Sequence, residues 1–228
     1  MKLVLLHAYP LDERMWGPQL EPLGGYDLAA PRLYGRGATM DEIASSLLAE
    51  QEGELALVGA SMGGYAALAM AHQEPSRVRA LALVGARADA DSPERRAGRA
   101  DTKALIENGG ARALWANQRP RLLLESVSDG AVSSVRDQAL ARSNEELVSA
   151  LVAIRDREDR LDTLEAFGRP VLVAVGEGDQ FFPPDEAQAQ AQRAPRGRFR
   201  VFAGARHLPN VEQPDEFNAA LAQFLADV

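Results

Sequence analysis

Short runs of consecutive apolar residues are the clearest pattern along the chain, and such runs are typical of strands buried on both faces of a sheet. They lie at Leu3–Leu6, Leu55–Val58, Leu81–Val84 and Pro170–Val175, with weaker candidates at Tyr26–Ala30 and Phe199–Phe202. Helical patterns lie between these runs. The alternation of strands and helices predicts a parallel sheet with helices on both faces, joined by right-handed connections.

Three segments carry helix signals within this alternation. Thr39 and Glu42 have the spacing of a capping box, in which the two residues bond to each other's backbone amides at the start of a helix. Met62–His72 is rich in Ala and Met, and Pro214 suits the first position of a helix near the carboxyl terminus. Each signal places a helix after one of the predicted strands.

Residues 88–165 interrupt the alternation because no convincing strand pattern lies among them. Ser143 and Glu146 form a second capping-box pattern, followed by apolar residues at helical spacing. Upstream, Gly109–Gly110 and Pro120 are expected to separate shorter helices. We therefore predict a core formed by residues 1–87 and 166–228 and a helical insertion at 88–165, called helical segment 88–165 below.

Composition removes several classes of function. The 228 residues include no cysteine, which excludes disulfides and thiolate chemistry, and the histidines lack metal-ligand spacing, so no metal is expected. With 25 basic and 33 acidic residues, the chain lacks the basic balance of a nucleic-acid binder. No apolar run is long enough for a membrane helix or a signal peptide, so a cytoplasmic location is expected.

The strongest chemical signal is the sequence Gly59-Ala60-Ser61-Met62-Gly63, which connects a buried strand pattern to a helix pattern. Gly-x-Ser-x-Gly in this context is typical of a nucleophile elbow, a sharp strand-to-helix turn that exposes the serine hydroxyl. The glycines allow close packing around the turn, and the helix start provides amide donors for an oxyanion. Ser61 is therefore the predicted nucleophile.

A serine nucleophile needs a base, and the chain has three histidines. His72 lies near the far end of the helix after Ser61, where a surface or capping role is expected, and His7 ends the first strand. His207 lies in a loop after the last strand, so position and elimination make it the base. Asp179 follows the strand at 170–175 and is the predicted partner of His207, with Glu177 as the alternative.

Taken together, these segments resemble the alpha/beta-hydrolase superfamily, in particular its small esterase, lactonase and carbon–carbon hydrolase branch. The matching segments are His7–Asp12 with Met15-Trp16, Tyr34–Gly37, the turn at Ser61, Gly176–Asp179 and Gly204–Pro209. The resemblance implies an oxyanion hole formed by the backbone amides of Tyr9 and Met62, and a structural role for His7. It also implies about six strands, without the family's amino-terminal edge hairpin, and a lid formed by helical segment 88–165.

The sequence says less about the substrate pocket. Trp115 and Leu122 are candidates to line it, although packing within the lid is the more common role of such residues, and Phe181 and Phe182 are better candidates because they follow Asp179. Helical segment 88–165 contains 11 arginines, including Arg95-Arg96, Arg119 and Arg121, which suggests a site for a carboxylate. Because 15 acidic residues in the same segment outnumber its 12 basic ones, we interpret most of these arginines as surface ion-pair partners.

The predicted function is hydrolysis of small carboxylic esters or lactones through an acyl-enzyme, without a cofactor. Alternatives on the same site are carbon–carbon bond hydrolysis and peracid formation, and a rival from another class is a non-catalytic ligand-binding member of the fold. The expected partner is a small-molecule substrate, with neither nucleic acid nor a membrane, and the chain is expected to be a monomer or a homodimer.

Overall fold

A computed structural model describes all residues, 1–228. Six strands form one sheet in the order β2-β1-β3-β4-β5-β6, and every neighbouring pair is parallel. The strands are β1 (Lys2–Leu6), β2 (Asp27–Ala29), β3 (Leu55–Ala60), β4 (Val78–Val84), β5 (Val171–Gly176) and β6 (Gly197–Phe202). The predicted parallel sheet of about six strands is confirmed.

A 3₁₀ turn at Glu13–Trp16 and ten helices connect or flank these strands. The helices are α1 (Gly17–Leu20), α2 (Met40–Glu50), α3 (Met62–Gln73), α4 (Pro93–Leu122), α5 (Asp129–Leu140), α6 (Asn144–Arg155), α7 (Leu161–Ala166), α8 (Pro184–Arg193), α9 (Pro209–Glu212) and α10 (Pro214–Leu225). Helices α4 to α7 all lie between β4 and β5, and none of these helices is long and apolar enough to span a membrane.

The apolar runs produce a separate core on each face of the sheet, since alternate residues of a strand point to opposite faces. In β1, Val4 and Leu6 pack with helices α2, α3 and α8, whereas Leu3 and Leu5 pack on the opposite face with α10 and the 3₁₀ turn. The strands β3, β4 and β5 divide their residues in the same way. The sheet therefore has no solvated face, which explains why its strands are continuous apolar runs.

The helix signals differ in their outcome. The capping box at Ser143 and Glu146 is complete, with both reciprocal bonds present. At Thr39 only half of it forms: the Thr39 hydroxyl accepts a bond from the Glu42 amide, but the Glu42 carboxylate bonds to Ala38 N instead. Both helices begin where the sequence predicts, because one capped amide is enough to mark a start.

One prediction about α4 is wrong. Gly110 interrupts the helix with φ 64° and ψ −161°, as the glycine pair suggests, but Pro120 lies inside the last turn without separating two helices. Pro120 cannot donate a helical hydrogen bond to the Ala116 carbonyl, and the helix ends two residues later, at Leu122. Residues 111–122 therefore form one continuous helix that leads from the kink at Gly110 to Leu122.

The two edge strands are short or carry charge. At one edge, β2 contains only three residues. At the other, Arg198 and Arg200 of β6 are exposed and form ion pairs with Asp227 and Glu216. The strand order places the ends of β1, β3, β4 and β5 near the middle of the sheet, where their following loops meet.

Candidate active site

The turn at Ser61 has the geometry that its sequence predicts. Ser61 is the only residue other than glycine with a positive φ, 49°, and its amide donates a 2.8 Å bond to Val84 O of the neighbouring strand. Such a backbone conformation costs about 1–3 kcal/mol and persists only where the surroundings impose it. A Cβ at Gly59 would overlap the Gly63 backbone, and one at Gly63 would overlap Leu6. These glycines therefore let strand and helix close around Ser61.

His207 and Asp179 form a buried pair beside this turn. The His207 Nδ1 lies 2.8 Å from Asp179 Oδ2, and both residues are less than 5% exposed. A carboxylate can only accept a hydrogen bond, so Nδ1 carries the proton and Nε2 is left as the basic nitrogen. The other oxygen of Asp179 accepts bonds from the amides of Phe181 and Phe182, at 2.8 and 3.0 Å. These bonds fix the carboxylate that orients the imidazole.

Ser61 and His207 line the same cavity, although no hydrogen bond joins them in this structure. Such bonds are often long in the absence of substrate. The alternative partner Glu177 is exposed and accepts a bond from Gly204 N, so it does not contact His207. His72 lies on the surface with Nδ1 3.0 Å from the Thr163 hydroxyl.

The two predicted oxyanion donors lie where amides are free. The Tyr9 amide donates no hydrogen bond to the protein, and Tyr9 lines the cavity that Ser61 also lines. Met62 is the first residue of α3, and first-turn amides have no acceptor within their own helix. An oxygen bound beside Ser61 would therefore meet donors that are not already occupied.

His7 has the structural environment that the resemblance implies. It is fully buried, its Nε2 accepts a 2.9 Å bond from Leu33 N, and its Nδ1 lies 3.1 Å from Ala8 O. Burial lowers the pKa of His7 to about 4, with the Ala8 bond opposing the shift. A neutral ring thus ties the loop after β1, which contains Tyr9, to the segment at Leu33.

Gly85 is a part of this arrangement that sequence reasoning missed. It follows β4 with φ 56°, and a Cβ there would lie 2.9 Å from the His207 ring and 3.1 Å from Asp179 Oδ2. The space that the imidazole and carboxylate occupy therefore depends on the absence of a side chain. A glycine directly after a buried strand is a sequence signal for such a turn, although it does not indicate what lies against it.

Glu212 is a second missed residue. One of its carboxylate oxygens accepts bonds from the amides on either side of His207, those of Arg206 at 2.8 Å and Leu208 at 3.3 Å. The other oxygen accepts a 2.8 Å bond from Leu124 N, just after α4. Burial raises the pKa of Glu212 against the effect of these three bonds. No sequence pattern reveals this contact, because its partners are backbone amides.

A cavity of about 360 Å³ opens above Ser61 and His207. Of the pocket residues expected from the sequence, Leu122 and Phe181 line it. Trp115 and Phe182 do not: Trp115 packs against the core on the α10 face, and Phe182 is buried in the opposite core beneath the Arg87 guanidinium. Phe181 and Phe182 are consecutive and their side chains point in different directions, so only Phe181 reaches the cavity.

Four arginines line the cavity, and three of them belong to helical segment 88–165, which changes the interpretation of that segment. They are Arg87, Arg95, Arg99 and Arg121. The expected surface pairing does hold for Arg96, which binds Asp156, while Arg119 donates to the carbonyls of Leu123 and Leu124. The net charge of the segment is negative, but its face toward the cavity is positive, because most of its acidic residues lie elsewhere on its surface.

Asp91 organises the arginines on this face. Its buried carboxylate pairs with Arg157 at 2.7 Å, Arg99 at 3.1 Å and Arg95 at 3.4 Å. Burial alone would raise the pKa of Asp91, but the Arg157 and Arg99 charges outweigh it and hold that pKa below its ordinary value. No group of three or more histidine and carboxylate side chains in the structure has an arrangement that could hold a metal ion.

The model of the alpha/beta hydrolase family matches residues 3–220. The chain belongs to that family. Among solved structures, a thermophilic esterase from Thermogutta terrifontis, described as malate bound, has a TM-score of 0.92 and 32% identity, covering 99% of this chain and 89% of that one. The expected membership of the superfamily, in its esterase and lactonase branch, is confirmed.

Curated relatives of this hydrolase are similar over most of its length. A pimeloyl-[acyl-carrier protein] methyl ester esterase of Aromatoleum aromaticum is 28% identical over 94% of each chain. The dihydrolipoyllysine-residue acetyltransferase component of the acetoin cleaving system of Cupriavidus necator is 29% identical over 98% of this chain. The hydrolase spans only 63% of that second relative.

Proposed function

We propose that this alpha/beta hydrolase cleaves small carboxylic esters or lactones, with Ser61 as nucleophile, His207 as general base and Asp179 as the residue that orients it. The observation that carries the proposal is the buried His207–Asp179 pair beside a strained turn that exposes Ser61 to the cavity that His207 also lines. The esterases among its relatives support an ester as the substrate.

The geometry supports an acyl-enzyme mechanism. His207 Nε2 takes the proton of the Ser61 hydroxyl as its oxygen attacks the carbonyl carbon, and the amides of Tyr9 and Met62 bind the resulting oxyanion. The imidazolium then gives that proton to the leaving alcohol. A water molecule attacks the acyl-serine with His207 again as base, and release of the acid restores the Ser61 hydroxyl.

Labelling by a fluorophosphonate tests the nucleophile directly. We expect wild-type protein to be labelled and Ser61→Ala to remain unlabelled, with Ser46→Ala, an alteration in α2, labelled like the wild type. Equal labelling of wild type and Ser61→Ala, or no labelling of either, contradicts the proposal. Turnover of p-nitrophenyl acetate and of a small lactone by the same proteins then measures the reaction itself.

A further inference from the structure

One cation in the cavity has no anionic partner. Arg121 lies in the last turn of α4, is half-buried, and forms neither a salt bridge nor a hydrogen bond with the protein. Its guanidinium lies over the Phe181 ring, with Cζ 3.8 Å from the ring centroid. Burial and the neighbouring charge of Arg99 lower the pKa of Arg121, yet a guanidinium stays protonated in proteins. Its planar set of donors therefore faces the cavity unused.

The other arginines of the cavity differ from Arg121 in this respect. Arg87 pairs with Glu186 at 2.5 Å, Arg95 pairs with Asp89 and Asp91, and the Nε of Arg99 donates to Asp91 at 3.1 Å. Arg99 binds Asp91 through Nε alone, so its terminal nitrogens remain available beside Arg121. Two neighbouring cations in a partly desolvated cavity repel each other, and an anion between them relieves that repulsion.

The local charges leave a positive excess of one. The positive groups are Arg87, Arg95, Arg99, Arg121 and Arg157, and the negative groups are Asp89, Asp91, Asp179 and Glu186. An excess of one charge suits a monoanion, since a dianionic phosphate would be repelled by the carboxylates already present. A carboxylate also matches the two parallel donors of a guanidinium.

The position of Arg121 connects this anion site to the proposed chemistry. The Phe181 ring lies 4.7 Å from the His207 ring, so Arg121 Cζ lies at most about 8.5 Å from that imidazole, the two distances placed end to end. A carboxylate bound by Arg121 occupies part of this span. At roughly 1.2 Å per bond of extended chain, the remainder corresponds to at most about four bonds.

We propose that Arg121, assisted by Arg99, binds a carboxylate carried by the substrate, so that the preferred esters have an anionic group up to about four bonds from the reacting carbonyl. This inference rests on the proposed ester hydrolysis at Ser61. The carboxylate belongs either to the acyl half or to the alcohol half of the ester, and both give the same chemistry at Arg121. Experiments on matched substrates distinguish the two.

Kinetic measurements use pairs of esters that differ in one charge. For the acyl half the pair is methyl hydrogen glutarate and its neutral amide, methyl glutaramate; for the alcohol half it is 3-acetoxypropanoate and its neutral amide, 3-acetoxypropanamide. We expect wild type to favour the carboxylate of at least one pair by about tenfold or more in kcat/KM, the range of a charge-assisted hydrogen bond. The pair that shows this preference identifies which half carries the anion.

Variants then assign the preference to Arg121. Arg121→Gln is expected to reduce the ratio of the two kcat/KM values by about tenfold, through a larger loss on the charged ester than on the neutral one. Arg112→Gln removes the same charge from the exposed face of the same helix and should leave the ratio unchanged. No preference in wild type, or equal losses on both esters in Arg121→Gln, overturns the inference.

A binding measurement separates this inference from the proposed reaction. In Ser61→Ala, calorimetry with methyl hydrogen glutarate, a monoanion at neutral pH, is expected to show binding that Arg121→Gln weakens at least tenfold and Arg112→Gln does not. Binding with the expected arginine dependence supports the anion site even if no ester is hydrolysed. Failure of methyl hydrogen glutarate to bind overturns the anion site, even if labelling and p-nitrophenyl acetate turnover support Ser61 as nucleophile.

Discussion

The sheet end that carries Ser61 and His207 and the helical segment 88–165 that faces it are held in place by different interactions. Around Ser61, backbone atoms approach so closely that Gly59 and Gly63 accept no side chain, and Gly85 leaves the space that the His207 and Asp179 side chains occupy. On the facing helices, position depends on side chains, above all on the arginines gathered around Asp91. The first arrangement fixes the residues proposed to react, and the second shapes the cavity that they line.

Because of this difference, we expect the two regions to tolerate different substitutions. Backbone contacts between close-packed elements leave no room for adjustment, so errors there displace the reacting groups themselves. Ion pairs among long side chains allow one arginine to change while the others re-form, except where a single carboxylate binds several of them. Four alterations, taken from the largest expected effect to the smallest, test this contrast.

Asp179→Asn should have the largest effect, and it falls on the sheet end. An amide in place of the carboxylate favours the wrong tautomer of His207, and kcat is expected to fall by about 10⁴ with little loss of stability. Ester turnover and urea unfolding measure the two quantities. Glu177→Gln, which alters an exposed carboxylate two residues away, should remain near wild type. A rate within tenfold of wild type for Asp179→Asn would contradict the assigned role.

Asp91→Asn tests the opposite region. Removing the buried charge leaves Arg157, Arg99 and Arg95 without their shared partner, and breaking such a buried pair costs about 3–5 kcal/mol. Urea denaturation should show this loss in the free energy of unfolding. Asp101→Asn, on an exposed face of α4, should change it by less than about 0.5 kcal/mol. Equal losses in the free energy of unfolding for Asp91→Asn and Asp101→Asn would show that the ion pairs around Asp91 do not keep these helices in position.

The pH dependence of stability tests the buried imidazole of His7. Its pKa is lowered from 6.5 to about 4 in the folded state, so the unfolded chain binds the proton more tightly. The neutral His7 therefore makes its full contribution to the free energy of unfolding above pH 6.5. That free energy falls by about 3 kcal/mol as the pH drops toward 4. Between pH 4 and 6.5, the free energy of unfolding should change less with pH in His7→Gln than in wild type or in the control variant His72→Gln. A wild-type slope equal to that of His7→Gln would contradict this account.

Of the four alterations, Gly85→Ala should have the smallest effect, and that effect falls on the rate of the reaction. The added methyl group would lie 2.9 Å from the His207 ring, and a displacement of a few tenths of an ångström is expected to lower kcat by about tenfold. Gly53→Ala provides the control, because Gly53 also has a positive φ but no atom near its would-be Cβ. Both variants should lose about 1 kcal/mol of stability from backbone strain, while only Gly85→Ala loses turnover. Equal turnover in the two would show that the contact is harmless.

The sequence predicted the sheet and Ser61, His207 and Asp179 for a common physical reason. Continuous apolar runs can be satisfied only by strands covered on both faces, and Gly-x-Ser-x-Gly between a strand and a helix permits few conformations. Asp179 was preferred to Glu177 because it lies just past the end of the predicted strand, and the structure places Asp179, and not Glu177, against His207.

The pocket was harder to predict because helix packing decides which way each side chain points. Arg121 and Arg119 are two residues apart on one helix, yet one lines the cavity and the other binds the carbonyls of Leu123 and Leu124. The net charge of helical segment 88–165 concealed the positive inner face for the same reason. Glu212 escaped notice because backbone amides carry no sequence signature.

The exposed arginines of β6 have a consequence for association between molecules. An edge strand offers unpaired amides and carbonyls to any other strand, including the same edge of a second copy. Two copies aligned along β6 would bring Arg198 and Arg200 of one against those of the other, and β2 at the opposite edge offers only three residues for pairing. Pairing at β6 would also disturb the ion pairs of Arg198 with Asp227 and of Arg200 with Glu216, and the short β2 limits pairing at the other edge, so both edges disfavour growth of the sheet into fibrils.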